Sequence, residues 1–146
     1  MQSSIVIIAT LDTKGTETAF LKSYIEKAGH RALVIDAGVL GQPYFVPDMT
    51  CKKVAKAGGK NLEVLVASRN QAQAMEVMRR GAAKIVMDMY SDGNIDSIIA
   101  LGGGQGTALG FRNESYAKLA IRCAQRLAVE KAITEMTRQF KKIPIK

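Results

Sequence analysis

The chain has 146 residues, 47% hydrophobic and 23% charged, a size and balance that suit one soluble α/β-type domain with a buried core and argue against two. Its net charge of +8 is unevenly spread, because residues 1–110 carry 12 Lys and Arg against 10 Asp and Glu, while residues 111–146 carry 9 against 3. The basic excess belongs to the tail and lacks the aromatic interleaving that base stacking needs, which argues against nucleic acid as a partner.

In chain order, Ile5 to Thr10 is a continuous, largely β-branched run, the pattern of a strand covered on both faces. After Gly15, the residues Phe20, Leu21, Tyr24, Ile25 and Ala28 recur at helical spacing, Glu17 falls in the first turn, and Gly29 closes the helix. Ala32 to Asp36 is the next strand, which completes a βαβ unit of the length expected for a parallel crossover. Gly38 to Asp48 holds two glycines and two prolines and is expected to be an ordered loop long enough to reach over a site. Thr50 to Ala57 predicts a short helix ended by Gly58 and Gly59, and Leu62 to Ala67 alternates weakly, as a short strand or a linker would. From Asn70 to Tyr90, the residues Ala74, Met75, Met78, Ala82, Ile85, Val86 and Met89 trace one helical face, with Gly81 tolerated inside it and the methionines serving as core. A turn at Asp92, Gly93 and Asn94 then leads to a strand from Asp96 to Leu101 and a glycine loop from Gly102 to Gly106.

Polar loops thus follow apolar strands at Thr10 to Lys14, Asp36 to Gly38 and Gly102 to Thr107. In an open parallel sheet, ligands bind beyond the carboxyl ends of the strands, so these loops are expected to converge on one crevice. A glycine loop after a parallel strand brings backbone N–H groups close to a ligand, which suits phosphate oxygens. Neither loop is an established nucleotide fingerprint. Lys14 precedes Gly15 and has no glycine five residues before it, which fails the P-loop pattern, and the loop at Gly102 to Thr107 puts Thr107 where a dinucleotide motif needs glycine.

The stretches ATLDTKGTE at 9–17, VIDAGVLG at 34–41, DMTCKKVAKAGG at 48–59 and IDSIIALGGGQGTALG at 95–110 resemble the amino-terminal ATP-binding domain of the tobamovirus-resistance-like family, in that family's order. The resemblance implies an α/β fold, a Rossmann-like three-layer domain with a mainly parallel sheet, that holds ATP with a divalent ion. It also implies a second domain resembling a phosphoenolpyruvate-hydrolase barrel, and in antiviral plant members a viral helicase as partner. By matching motif, Thr10, Asp12, Thr13 and Lys14 would meet the nucleotide at the first strand, and Asp36 and Gly38 would line the second. Gly103, Gly104, Gln105, Gly106 and Thr107 would cradle phosphates. The chemistry of these residue types agrees: Lys14 can neutralise phosphate charge, threonine hydroxyls can donate, and the Asp12 carboxylate suits Mg²⁺, directly or through water.

From Phe111 the chain leaves the expected pattern. The reading therefore divides it into a nucleotide-binding domain at 1–110 and a basic helical tail at 111–146. Asn113 followed by Glu114 starts a long C-terminal helix that runs without Gly or Pro to about Lys141. Along it, Tyr116, Ala120, Cys123 and Leu127 share one face, while Val129, Ile133, Met136 and Phe140 share another, rotated by roughly 130°. The first stripe is expected on the parent sheet and the second on another copy of the chain, giving a homo-oligomer.

Cys51 and Cys123 lack metal-ligand spacing, and with His30 as the single histidine a structural zinc site is not expected. No run approaches the roughly 18 apolar residues of a membrane span, and the amino end lacks a basic lead and cleavage-like segment, so a cytoplasmic location is expected. Nucleotide binding without efficient turnover is the first functional expectation. Slow phosphohydrolase or phosphotransferase activity with Asp12 as nucleophile is the second, since DTKGT is a scrambled form of an aspartyl-phosphate loop. A protein-interaction module is the third.

Overall fold

The apolar run at the amino end forms β1 (Ser4–Ala9), the middle strand of a three-stranded parallel sheet of order β2-β1-β3. The computed structural model describes residues 2–102 of the chain. Strand β1 is followed by α1 (Leu11–Lys27), β2 (Arg31–Asp36), α2 (Cys51–Ala57), α3 (Leu62–Ser68), α4 (Gln71–Ser91) and β3 (Ser97–Leu101). Register runs Ser4 to Arg31 through Ala9 to Asp36 on one side of β1, and Ile5 to Ser97 through Ala9 to Leu101 on the other. All three strands therefore end at one level. The glycine loop 103–107, the helix expected from Asn113 and its proposed dimer stripe lie outside the described residues.

Strand alternation divides the core into two faces. Val6 and Ile8 of β1 join Leu33 and Ile35 of β2 against α2, α3 and α4, whereas Ile7 and Ala9 join Ala32 and Val34 against Leu21 and Ile25 of α1. Residues Val6 through Ala9 are all buried, which is why the run reads as continuously apolar rather than alternating. The result is a Rossmann-like layering of helix, parallel sheet and helices. Among the described residues no helix is long and apolar enough to cross a membrane.

Local chemistry sets the helix ends. Thr50 Oγ1 accepts from the Lys53 N–H at 3.4 Å to start α2, and Asn70 Oδ1 accepts from the Gln73 N–H at 3.0 Å to start α4. Gly29, at φ +84°, ends α1, and Gly93, at φ +71°, turns the chain out of α4. Leu62 to Ser68 is helix, not the strand or linker its weak alternation predicts. Leu62 and Leu65, three residues apart, face the core, while Val64 and Val66 are left 53% exposed each, so the β-branched residues that suggest a strand are the ones that pack least.

Gly81 is required rather than tolerated. A Cβ built there would run into the Val54 carbonyl oxygen of α2, and a Cβ at Gly58 would run into the Val77 carbonyl oxygen of α4, so the two helices cross with backbone against backbone. Arg80 secures the crossing by donating from Nε and Nη2 to the Gly58 carbonyl at 3.1 and 2.7 Å. By helix propensity alone, Gly81→Ala would stabilise the protein by about 1 kcal/mol. The crossing reverses that sign. Thermal or urea unfolding of Gly81→Ala is expected to show a loss of about 1–3 kcal/mol from overpacking, and an unchanged or raised midpoint would mean that α2 and α4 do not meet this closely.

Candidate functional site

The polar residues that end the apolar strands meet at the carboxyl edge of the sheet. Ala9 pairs with Asp36 on one side and Leu101 on the other, and the Ala37 N–H donates to the Ala9 carbonyl at 2.8 Å, so Thr10, Asp36 to Gly38 and Gly102 stand side by side. Of the residues expected at a site, Thr10, Asp12, Thr13, Lys14, Asp36 and Gly38 lie together at this edge. Gly103, Gly104, Gln105, Gly106 and Thr107 lie outside the described residues.

The turn after β1 is tighter than an open loop. The Thr10 carbonyl accepts from both the Thr13 and the Lys14 N–H groups, at 3.1 and 2.7 Å, and Lys14 has a non-helical φ of −124°, so one separate turn precedes the body of α1. The buried Thr18 hydroxyl donates to the Lys14 carbonyl at 2.6 Å, giving the kink a local partner. The Thr10 and Thr13 hydroxyls lie 2.8 Å apart. Lys14 Nζ is 2.9 Å from Glu17 Oε1, one turn along, in a half-exposed ion pair that holds the Glu17 carboxyl below its ordinary value.

Asp36 is 2% exposed and acts first as a brace. Its Oδ1 accepts from the Leu11 N–H at 3.1 Å and from the Gly38 N–H at 2.9 Å, tying the end of β1 to the end of β2. Burial pushes its carboxyl above the ordinary value, against the lowering effect of those two N–H groups, and the Asp12 charge adds to the rise. The Cys51 thiol also hydrogen-bonds to it, and burial together with the Asp36 charge pushes that thiol up in turn. No local pattern in the sequence signals that Cys51, fifteen positions away, belongs beside Asp36.

Asp12 connects the first loop to the second. Its Oδ2 accepts from the Leu40 N–H at 2.7 Å, and its Oδ1 is buried with no hydrogen-bond partner. Gly38 makes the approach feasible, since a Cβ there would lie 2.7 Å from Asp12 Oδ1. Further along the same loop, the Tyr44 N–H donates to the Leu11 carbonyl at 3.1 Å, and a Cβ on Gly15 would run into Tyr44. The segment from Gly38 to Tyr44 is therefore a strap laid across the turn that carries Asp12. It returns through Met49, whose N–H donates to the Val34 carbonyl at 3.0 Å while its carbonyl accepts from Asp36 at 2.9 Å, continuing the sheet past β2.

Because the folded-state value of Asp36 lies above the unfolded one, this group adds stability below the ordinary carboxylate value, and that stability is lost as pH rises through the raised folded value. Asp36→Asn keeps an acceptor and removes the charge. Urea unfolding across a pH series is expected to show Asp36→Asn gaining on the wild type as pH rises from acid to neutral, whereas Asp36→Ala, which orphans two buried N–H groups, is expected to lose about 1–3 kcal/mol at neutral pH. A constant difference between Asp36→Asn and the wild type would show that burial does not disfavour the charge.

Comparison with known sequences places this arrangement in a family. The chain is 42% identical over 121 residues to a UPF0261 protein of Clostridium tetani, a match covering 83% of this chain and 29% of the relative. It is 37% identical over 105 residues to a UPF0261 protein of Brucella suis, covering 72% of this chain and 25% of the relative. A UPF0261 protein of Rhizobium meliloti is 26% identical over the same extent. The chain thus spans between 25% and 29% of the length of the curated relatives it matches. Residues 3–140, a stretch that continues past Gly110 into the basic tail, match the N-terminal domain of one family, and the chain belongs to that family, the uncharacterised protein family UPF0261.

Proposed function

We propose that this domain binds a nucleoside triphosphate, ATP, together with Mg²⁺, in the crevice at the carboxyl edge of the sheet. The observation that carries the reading is the state of Asp12: a carboxylate at the mouth of the first βα turn, one oxygen bonded to Leu40 and the other buried without a donor. A carboxylate oxygen removed from water without a hydrogen bond is costly, and a cation or a metal-bound water offsets that cost.

The donor set fits Mg²⁺ better than a metal held by protein alone. Among the described residues no group of three His, Cys, Asp or Glu is placed to hold a metal. Mg²⁺ keeps several waters and is commonly held by one or two carboxylates plus the phosphates of a nucleotide. Asp12 would supply the carboxylate. Thr10 and Thr13 would give hydroxyl donors, Lys14 would turn from Glu17 toward phosphate, and the glycine loop 103–107 would add backbone N–H groups. Asp36 serves this site by positioning, since its Oδ1 already holds the Leu11 and Gly38 N–H groups. When bound, the metal neutralises phosphate charge, and the chain's own residues orient the nucleotide.

Titration calorimetry with ATP and adenosine, with and without Mg²⁺, tests the reading. Lys14→Ala is expected to weaken ATP about tenfold, the scale of one charge-assisted hydrogen bond, with adenosine little changed. An equal loss for both ligands would assign Lys14 to structure. Asp12→Asn is expected to abolish most of the gain in ATP affinity that Mg²⁺ gives the wild type. Retention of the full gain would remove Asp12 from the metal.

A further inference from the structure

Where the strap passes the junction of α3 and α4, the domain holds a cavity of about 360 Å³, a size within the range of small-ligand sites. Five aliphatic residues line it. Val39 and Leu40 come from the strap, Leu65 and Val66 from α3, and Ala74 from α4. Leu65 and Ala74 are buried members of the core, whereas Leu40 and Val66 are 73% and 53% exposed, so apolar surface continues from the cavity into solvent. Leu40 is held in that position, because its N–H donates to Asp12 at 2.7 Å. None of the six residues that meet at the strand ends lines this cavity.

The polar part of the lining is three consecutive residues, Arg69, Asn70 and Gln71. Asn70 Oδ1 is committed to the Gln73 N–H as the cap of α4. Arg69 is uncommitted. Among the described residues its guanidinium has no hydrogen bond or ion pair, and no acid lines the cavity. Arg69 also ends α3 at φ +50°, the one positive φ outside glycine among the described residues. That left-handed cap favours glycine, so an arginine keeps a cation beside the cavity where backbone preference alone would select no side chain.

We propose that this cavity is a second binding site, for an aliphatic monocarboxylate whose carboxylate meets Arg69 while its chain lies against Val39, Leu40, Leu65 and Val66. Arginine presents a planar fork that a carboxylate fits with two hydrogen bonds. Aliphatic walls without an acid favour an apolar chain that ends in an anion over one that ends in a cation. The bound chain also covers the Leu40 and Val66 surface otherwise left in water. The proposal does not depend on the nucleotide reading.

The test follows the amide NMR spectrum of the isotopically labelled 146-residue chain, with hexanoate, hexan-1-ol and hexylamine as separate probes. Hexanoate is expected to shift the Leu40, Val66 and Gln71 amides saturably, with the alcohol and the amine bound about tenfold more weakly or worse. Arg69→Gly suits the backbone at that position, so it is expected to fold, to weaken hexanoate about tenfold and to leave hexan-1-ol unchanged. Val66→Glu, which adds an acid at an exposed position of the lining, is expected to weaken hexanoate by at least as much. Wild-type affinity for hexanoate in Arg69→Gly would overturn the proposal. Equal binding of the acid and the alcohol, or no saturable shift with hexanoate, would overturn it too. Displacement of hexanoate by adenosine would make the cavity part of the nucleotide site and remove the separate one.

Discussion

The carboxyl edge of this domain depends on one buried carboxylate. Asp36 Oδ1 accepts from backbone N–H groups on two different connections, Leu11 after β1 and Gly38 after β2, and so sets the distance between the first two strand ends. The energetics are opposed. Burial disfavours the charge, while two N–H donors and a thiol favour it, and burial wins in the direction of the pKa. Removing the brace would free more than one loop, because the strap begins at Gly38 and everything it touches later is registered from there. Beyond Gly38, which lies against the Asp12 carboxylate, Leu40 reaches Asp12 and Tyr44 reaches both Leu11 and Gly15.

The elements that the sequence foretells are those whose signal is local. The run at Ile5 reads as a buried strand because all of Val6 to Ala9 is buried, and the face through Ala74, Met78, Ala82 and Val86 reads as a helix because those residues pack on one core. Asn70 and Thr50, where those two helices are expected to begin, cap them by accepting from an N–H three positions on. Helix α3 is misread for the same reason: with Leu62 and Leu65 as its inward residues and valines on the outside, seven residues do not display a helical period strongly enough to outweigh β-branched composition.

The meeting of the first two strand-end loops is legible in the sequence, and their wiring is not. That Thr10 to Lys14 lie beside Asp36 and Gly38 follows from the rule that polar loops at parallel strand ends converge. That Asp36 is a brace, that Asp12 is tied to Leu40 and that Gly15 exists to seat Tyr44 all rest on pairs 25 to 29 residues apart, which leave no periodicity in a sequence. Gly81 is the same case within the core. It scores as a tolerated blemish in a helix until α2 is seen to cross there.

Charge at the edge then bears on the form in which a nucleotide would arrive. The charge of Asp12 is close enough to raise the pKa of Asp36, and Lys14, two residues beyond Asp12, is already paired with Glu17 at 2.9 Å. A triphosphate without metal would bring several negative charges toward two carboxylates and compete with Glu17 for one ammonium. Coulomb repulsion at this range falls off slowly when water is excluded, so the backbone N–H groups of a glycine loop would have to outweigh it alone. Were Asp12 to hold a divalent ion, the same carboxylate would act as a ligand instead of a repulsive group. Under the proposed reading, the arrangement of acids at this edge would favour the metal-bound form of the nucleotide over the free one, with Lys14 as a secondary phosphate contact.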